Sequence, residues 1–296
     1  MKIQKKLRGI ILASSAASLW SISGVSGEFL FKKFHFSSNW LVSARTLISG
    51  ILLCAAVIFI EKKSILKPLK NWKDFFGIIL FGVAGIYFVQ FTYFKTIELS
   101  NVSFATIIQF TAPFFIFIYE SVKNRKIPPL STVVFLFMTI LGVVFIATKG
   151  NLSNFSGSLE ALLIGIASAI MIAFYSIQPK KLIKKYGSIT VVGWGMILGS
   201  IIANIIHPVW KIEGIINIES IIQVIIVIIL GTAIAYLIYI TSLNYISSSL
   251  AGILTAFEPI LAAVLSVILF RLKFSPIELI GFMLVFVSIF FLEKKL

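Results

Sequence analysis

The chain has few of the side chains that carry covalent chemistry. Its 296 residues include two histidines, one cysteine and 11 acidic residues in all. Asp74 is the single aspartate and sits beside a loop. His35 and His207 lie near the ends of apolar runs and far apart in sequence, so no nucleophile–base set or metal cluster stands out. One cysteine, Cys54, permits no disulfide framework. Within its apolar run it reads as a small buried hydrophobe. No Gly-Lys-Ser/Thr phosphate loop occurs, which argues against ATP as a driver. The expectation is therefore no cofactor, no metal and no enzyme. Charge is scarce too. Charged residues make up 12% of the chain, about half the share usual in soluble domains.

Hydrophobic residues make up 59% of the sequence. Runs of about 20 of them recur from end to end, the length needed to cross a bilayer as a helix. The fold expected is an all-α polytopic membrane protein. A net charge of +15 could suggest nucleic acid. The lysines, however, fall in short loops between apolar runs rather than on a continuous basic face interleaved with aromatics. The partner is thus the lipid bilayer, and no nucleic acid is expected. The first apolar run, Gly9 to Val25, follows Lys2, Lys5, Lys6 and Arg8, as in a signal peptide. It continues toward Phe31 without a clear cleavage site, which makes it the first transmembrane helix.

Ten transmembrane helices are expected, over about 8–30, 38–60, 75–94, 100–121, 131–148, 157–179, 188–207, 220–240, 247–270 and 276–292. The stretch from Ile221 to Phe270 is too long for one span, and Asn244 with Ser247–Ser249 offers its only turn. An even count puts both termini on one side of the membrane. That side then carries 18 lysines and arginines and the other seven, with Arg45 inside a span. The bias places both termini in the cytoplasm of a bacterial cell membrane. Trp40, Trp72, Trp194 and Trp210 fall near span ends, as interfacial anchors do; Trp20 lies deeper and could face a cavity.

A shift of 146 residues aligns the chain with itself. Tyr93 meets Tyr239, Ser103 meets Ser249, Ala105 meets Ala251 and Ile107 meets Ile253. Pro113 meets Pro259, Arg125 meets Arg271 and Phe145 meets Phe291. The shift spans five helices, an odd number, so the second unit enters the membrane inverted. Two inverted five-helix repeats, residues 1–150 and 156–296, are the pattern of secondary transporters, whose halves exchange conformations around one site.

With these features the chain resembles the drug/metabolite transporter superfamily, in its EamA-type ten-helix branch. The resemblance rests on Leu19-Trp20, on Arg45 within Ser43-Ala44-Arg45-Thr46-Leu47, and on Pro113. It rests further on Phe257-Glu258-Pro259 ahead of an alanine-rich run, and on Gly142 and Gly281. The chain departs from the family in one place. Asn124-Arg125-Lys126 and Arg271-Leu272-Lys273 stand where helices 4 and 9 often close with Gly-Glu. The resemblance implies a basket of helices, with helices 1, 3, 4, 6, 8 and 9 around a central cavity, and transport of small polar metabolites, including amino acids and amphipathic compounds.

The residues that cost most in lipid are the candidates for function. Proline removes a helical hydrogen bond to the carbonyl four residues back. Pro113 and Pro259 would thus free the carbonyls of Gln109 and Thr255 and act as hinges, or as plain kinks satisfied by packing. Glu258 would lie near the midplane. There it could bind a cationic group, carry a coupling proton or bond neighbouring helices as a structural carboxyl. Arg45 lies roughly 10 Å inside its helix. It could snorkel, pair with Glu258 or pair with a substrate carboxylate. Glu28 beside Lys32, and Glu120 beside a basic cluster, read as exposed or snorkelling partners. Polar and aromatic residues at helical spacing add Trp20, Tyr87, Gln90, Thr106, Gln109, Tyr175, Tyr236, Tyr239 and Thr255 as cavity-lining, substrate-binding candidates. Polar contacts between helices would give the same stripes. The functional expectation is a secondary transporter of small organic metabolites working by alternating access, with export favoured over uptake. A passive channel and an intramembrane lipid enzyme are the alternatives.

Overall fold

A backbone in hydrocarbon must satisfy its polar groups internally, and an apolar run of 20 residues does so as a helix. The computed structural model describes residues 2–59, 65–125, 129–148, 159–246, 251 and 254–293. It is all-helical, with no strand among the described residues. We label the apolar helices in chain order. They begin with α1 (Lys2–Lys32), α2 (Ser38–Phe59) and α3 (Trp72–Leu99), then α4 in two pieces, Val102–Gln109 and Ala112–Asn124. Next come α5 (Leu130–Thr148), α6 (Leu159–Ile177), α7 (Ser188–Ile206) and α8 (Ile218–Ser242), and last α9 (Phe257–Phe270) and α10 (Pro276–Glu293). Seven of them are long and apolar enough to cross a membrane, while α5, α9 and α10 are shorter apolar helices. A short helix, Lys180–Tyr186, joins α6 to α7. The expected turn at Ser247–Ser249 lies outside the described residues, as does Lys126. So does the side chain of Glu120.

Local structure repeats at the 146-residue offset in places the sequence comparison did not use. Asn71 and Asn217 each cap the start of a helix, with the side chain accepting backbone N–H groups. Both α3 and α8 then widen into a π-helical stretch, Phe81–Tyr87 and Ile226–Ile234. Arg125 and Arg271 follow α4 and α9 in the left-handed conformation, with φ of 51° and 53°. Helix C-termini usually fill that position with glycine, so the two arginines stand where a Gly-Glu closure would be relaxed.

The prolines begin helical segments instead of bending continuous ones. In α4 the helix stops at Gln109 and restarts at Ala112, with Pro113 in the first turn. That is where a missing N–H costs least. The Thr255 carbonyl is not free, contrary to expectation, because the Glu258 N–H donates to it at 2.9 Å. A tighter turn has recovered the bond that proline removed.

Packing sets the cage. α2 lies along α7, and α5 along α10. α1 packs on α8 and α9, while α6 packs on α3 and α4. Gly142 and Gly281 allow the α5–α10 contact: a Cβ on either would sit within 2.8 Å of the other's carbonyl oxygen. One end of the bundle, the basic end, collects Arg8 over the Tyr245 ring and the Trp194 indole on the Ile65 carbonyl. Lys185 and Tyr186 meet there on Asp74. At the far end Lys33 pairs with Glu219, and the Trp40 indole donates to the Val209 carbonyl.

Candidate functional site

The paired helices leave a cavity of about 440 Å³ at the centre of the cage. That is within the size range of small-molecule sites. Trp20 reaches it from α1, Arg45 from α2, and Gln90 with Tyr93 from the segment of α3 that follows its π-helical stretch. The break in α4 brings in Thr106 and Gln109 on one side and Pro113 on the other. Tyr175 comes from α6, Tyr236 and Tyr239 from α8, and Thr255, Glu258 and Pro259 from the start of α9. Twelve of the thirteen residues singled out in the sequence therefore share one cavity.

Tyr87 is the exception. It is buried away from the cavity, its ring stacked on Phe91 at 5.9 Å. Successive steps of three residues drift around a helix, which leaves Tyr87 about 120° from Tyr93. The lining residues that the sequence did not single out include Ser23, Ser188 and Val192. The last two place α7 in the wall, and Arg45 places α2 there, so the wall includes helices beyond the six expected.

The wall is aromatic on one side. Trp20 meets Tyr236 edge-on at 5.6 Å and Tyr239 at 5.2 Å. The Tyr236 hydroxyl sits beside that of Tyr175 and the amide of Gln90. Gln109 donates to Ser168 at 2.7 Å, and the Tyr93 hydroxyl is 3.1 Å from that of Thr106, so some of the polar stripe ties helices together. Ser103 likewise donates to Ser266 of α9 at 2.8 Å.

Two ionisable side chains, Glu258 and Arg45, face this space without pairing. Glu258 lies in the first turn of α9. Arg45 is only 4% exposed, so it does not snorkel. The Arg45–Glu258 ion pair, one of the alternatives for Arg45, does not form. The guanidinium instead donates to Thr232 Oγ1 from Nε at 3.1 Å and from Nη2 at 2.7 Å, and lies 4.5 Å from the Phe94 ring centre.

The cavity is asymmetric along the bundle. Toward the basic end it extends to Ile183, Ser188 and Leu243. At the far end it stops at Tyr93, Thr106 and Arg45, beneath a layer built on Glu28. That residue was expected at the surface, yet it is wholly buried. Its carboxylate accepts the Val102 N–H at 2.7 Å, capping α4, and pairs with Lys32 at 2.6 Å. Phe29 against Phe270, and Phe31 against Phe94, complete the layer.

Similarity to known proteins agrees with this architecture. The EamA-like transporter family matches the chain twice, over residues 7–148 and 159–293. An uncharacterized inner membrane transporter, YicL, of Salmonella typhimurium is 32% identical over 285 residues, covering 95% of this chain and 94% of its own length. An uncharacterized transporter of Archaeoglobus fulgidus is 28% identical over 194 residues, 64% of each chain. A crystal structure with no stated function shares the fold at a TM-score of 0.65 and 17% identity, over 95% of this chain and 94% of the other. The chain is a multi-pass membrane protein and belongs to the EamA-like transporter family.

Proposed function

We propose that the protein is a secondary transporter that exports small organic metabolites from the bacterial cytoplasm by alternating access. Its solutes are amino acids, amines or related amphipathic compounds. Ten spans form two inverted five-helix units, residues 1–150 and 156–296, with both termini cytoplasmic. The caps at Asn71 and Asn217, the two π-helical stretches and the two left-handed arginines support the duplication. So does the packing, in which α1 on α8 mirrors α6 on α3 when the halves are exchanged. An inverted repeat has two such arrangements of equal topology, and switching between them moves the opening across the membrane.

The observation that carries the reading is the central cavity, lined by an aromatic wall, Arg45 and Glu258, with lining residues that continue toward the basic end. By the positive-inside bias that end is cytoplasmic, so a solute would load from within. Pro113 and Pro259 sit at the breaks of α4 and α9 and would serve as hinges. Glu258 would carry a coupling proton or meet a cationic group. In proteoliposomes under an imposed pH gradient, Glu258→Gln is expected to lose gradient-driven flux while the folded protein persists. Unchanged flux with an unchanged pH dependence would remove Glu258 from the coupling step.

A further inference from the structure

Taking a cation out of water costs far more than two hydrogen bonds to a neutral hydroxyl return. Arg45 is in that position. Thr232 and the Phe94 face hold the plane of its guanidinium but do not neutralise it. No carboxylate among the described residues pairs with it, and Glu258 faces the same cavity without reaching it. A guanidinium has five N–H donors. Thr232 takes one from Nε and one from Nη2, and no described residue takes the rest.

The way Thr232 is held bears on what those donors are for. Its hydroxyl donates to the Val227 carbonyl at 2.8 Å, five residues back along the π-helical stretch. Ser49 of α2 fills the next carbonyl, Ile228, at 2.9 Å. With its proton committed, Thr232 Oγ1 has only lone pairs to offer Arg45. The π-helical stretch therefore fixes an acceptor that turns the guanidinium into the cavity.

We propose that Arg45 clamps a carboxylate on the transported solute, and that Thr232 is the positioning residue that aims it. The inference rests on the cavity being the solute site. A planar guanidinium matches a carboxylate with two parallel N–H bonds, which a lysine ammonium cannot do. The wall of Trp20, Tyr236 and Tyr239 would pack the body of the solute, and Glu258 would meet an ammonium where the solute has one.

The test is thermal unfolding of the purified protein in detergent with three matched pools. These are the free amino acids, their carboxamides (ammonium kept, carboxylate removed) and their N-acetyl derivatives (carboxylate kept, ammonium removed). Stabilisation by the free acids without stabilisation by the amides supports the clamp. Stabilisation by the N-acetyl pool as well extends it to plain carboxylic acids. Amides that stabilise as well as acids, or no stabilisation by any pool, overturn it. Thr232→Val should weaken acid binding about tenfold and erode the preference for acid over amide, and Thr232→Ser should restore both. A merely structural Thr232 would lower the melting temperature of the free protein and leave that preference intact. If Thr232→Val does not fold, Arg45→Lys decides: it keeps the charge and must still lose the preference. Flux in proteoliposomes separates this inference from the transport reading. Acid flux and an acid-over-amide preference that are untouched by Arg45→Lys remove the clamp and keep the carrier. Acid binding without flux removes the carrier and keeps the clamp.

Discussion

The π-helical stretches of α3 and α8 occupy equivalent places in the two halves and do different work. In α3 the stretch is a backbone contact. Gly82 lies so close to α7 that a Cβ would come within 2.6 Å of the Gly195 carbonyl oxygen, and Met196 beside it is fully buried. In α8 the stretch is polar. Its carbonyls are taken by Thr232 and Ser49, and Thr232 presents the guanidinium of Arg45 to the cavity. Extra turns of this kind leave backbone groups that something must satisfy. Both stretches pack closely, Gly82 on α7 and Gly231 on Ser23 of α1, but in α8 side chains also take the carbonyls and orient a charge. The two copies thus keep one backbone geometry and carry different side-chain chemistry on it.

That contrast can be broken most severely at Gly82. Gly82→Leu should prevent folding, since overpacking against a backbone oxygen costs about 3 kcal/mol or more. The readout is the yield of monodisperse protein. The paired change at the other stretch, Ser49→Ala, should cost only about 1 kcal/mol of denaturation free energy. Equal losses at the two sites would mean that the stretches are equivalent after all.

A smaller effect is expected at the far-end layer. Glu28→Ala leaves the Val102 N–H buried without its acceptor, which costs about 2 kcal/mol. The expected signs are a lower melting temperature and faster labelling of far-end positions by a membrane-impermeant reagent. Unchanged labelling would mean that Glu28 is only a cap and does not help close that end.

The smallest effect belongs to the basic end. The hydrogen bond from Lys185 to Asp74 raises the Lys185 ammonium above the ordinary lysine value. A raised ammonium stabilises the fold below that ordinary value, and the contribution is lost as pH rises through the raised one. Lys185 is half exposed, so Lys185→Met should lower the melting temperature only slightly at pH 7. The difference should shrink in high salt and vanish at strongly alkaline pH. A large, salt-independent loss would place this pair among the elements that hold the halves together.

Much of the cage was legible because a bilayer leaves a chain little choice. Apolar runs of membrane length have to be helices, and Pro113 and Pro259 marked the places where α4 and α9 restart. The widened stretches of α3 and α8 were not legible, because no residue type encodes an extra residue in a turn; packing against α7 and α2 stabilises it. Asn71 and Asn217 could have been found, since they obey the same offset as the prolines and fit a helix start. The site was legible as a set of polar residues but not as a geometry. Arg45 and Thr232 are 187 positions apart, and Glu28 and Val102 are 74 apart. Spacing along one helix carries no information about such pairs, so Glu28 looked like a surface carboxylate.

Counterflow is the decisive measurement for alternating access. Proteoliposomes holding a concentrated unlabelled pool of amino acids and amines are diluted into a trace of the same pool carrying label. Alternating access predicts transient accumulation of label above its external concentration, saturable and absent from empty liposomes. Label that only equilibrates, at a rate linear in concentration, would contradict alternating access and point to a passive pore.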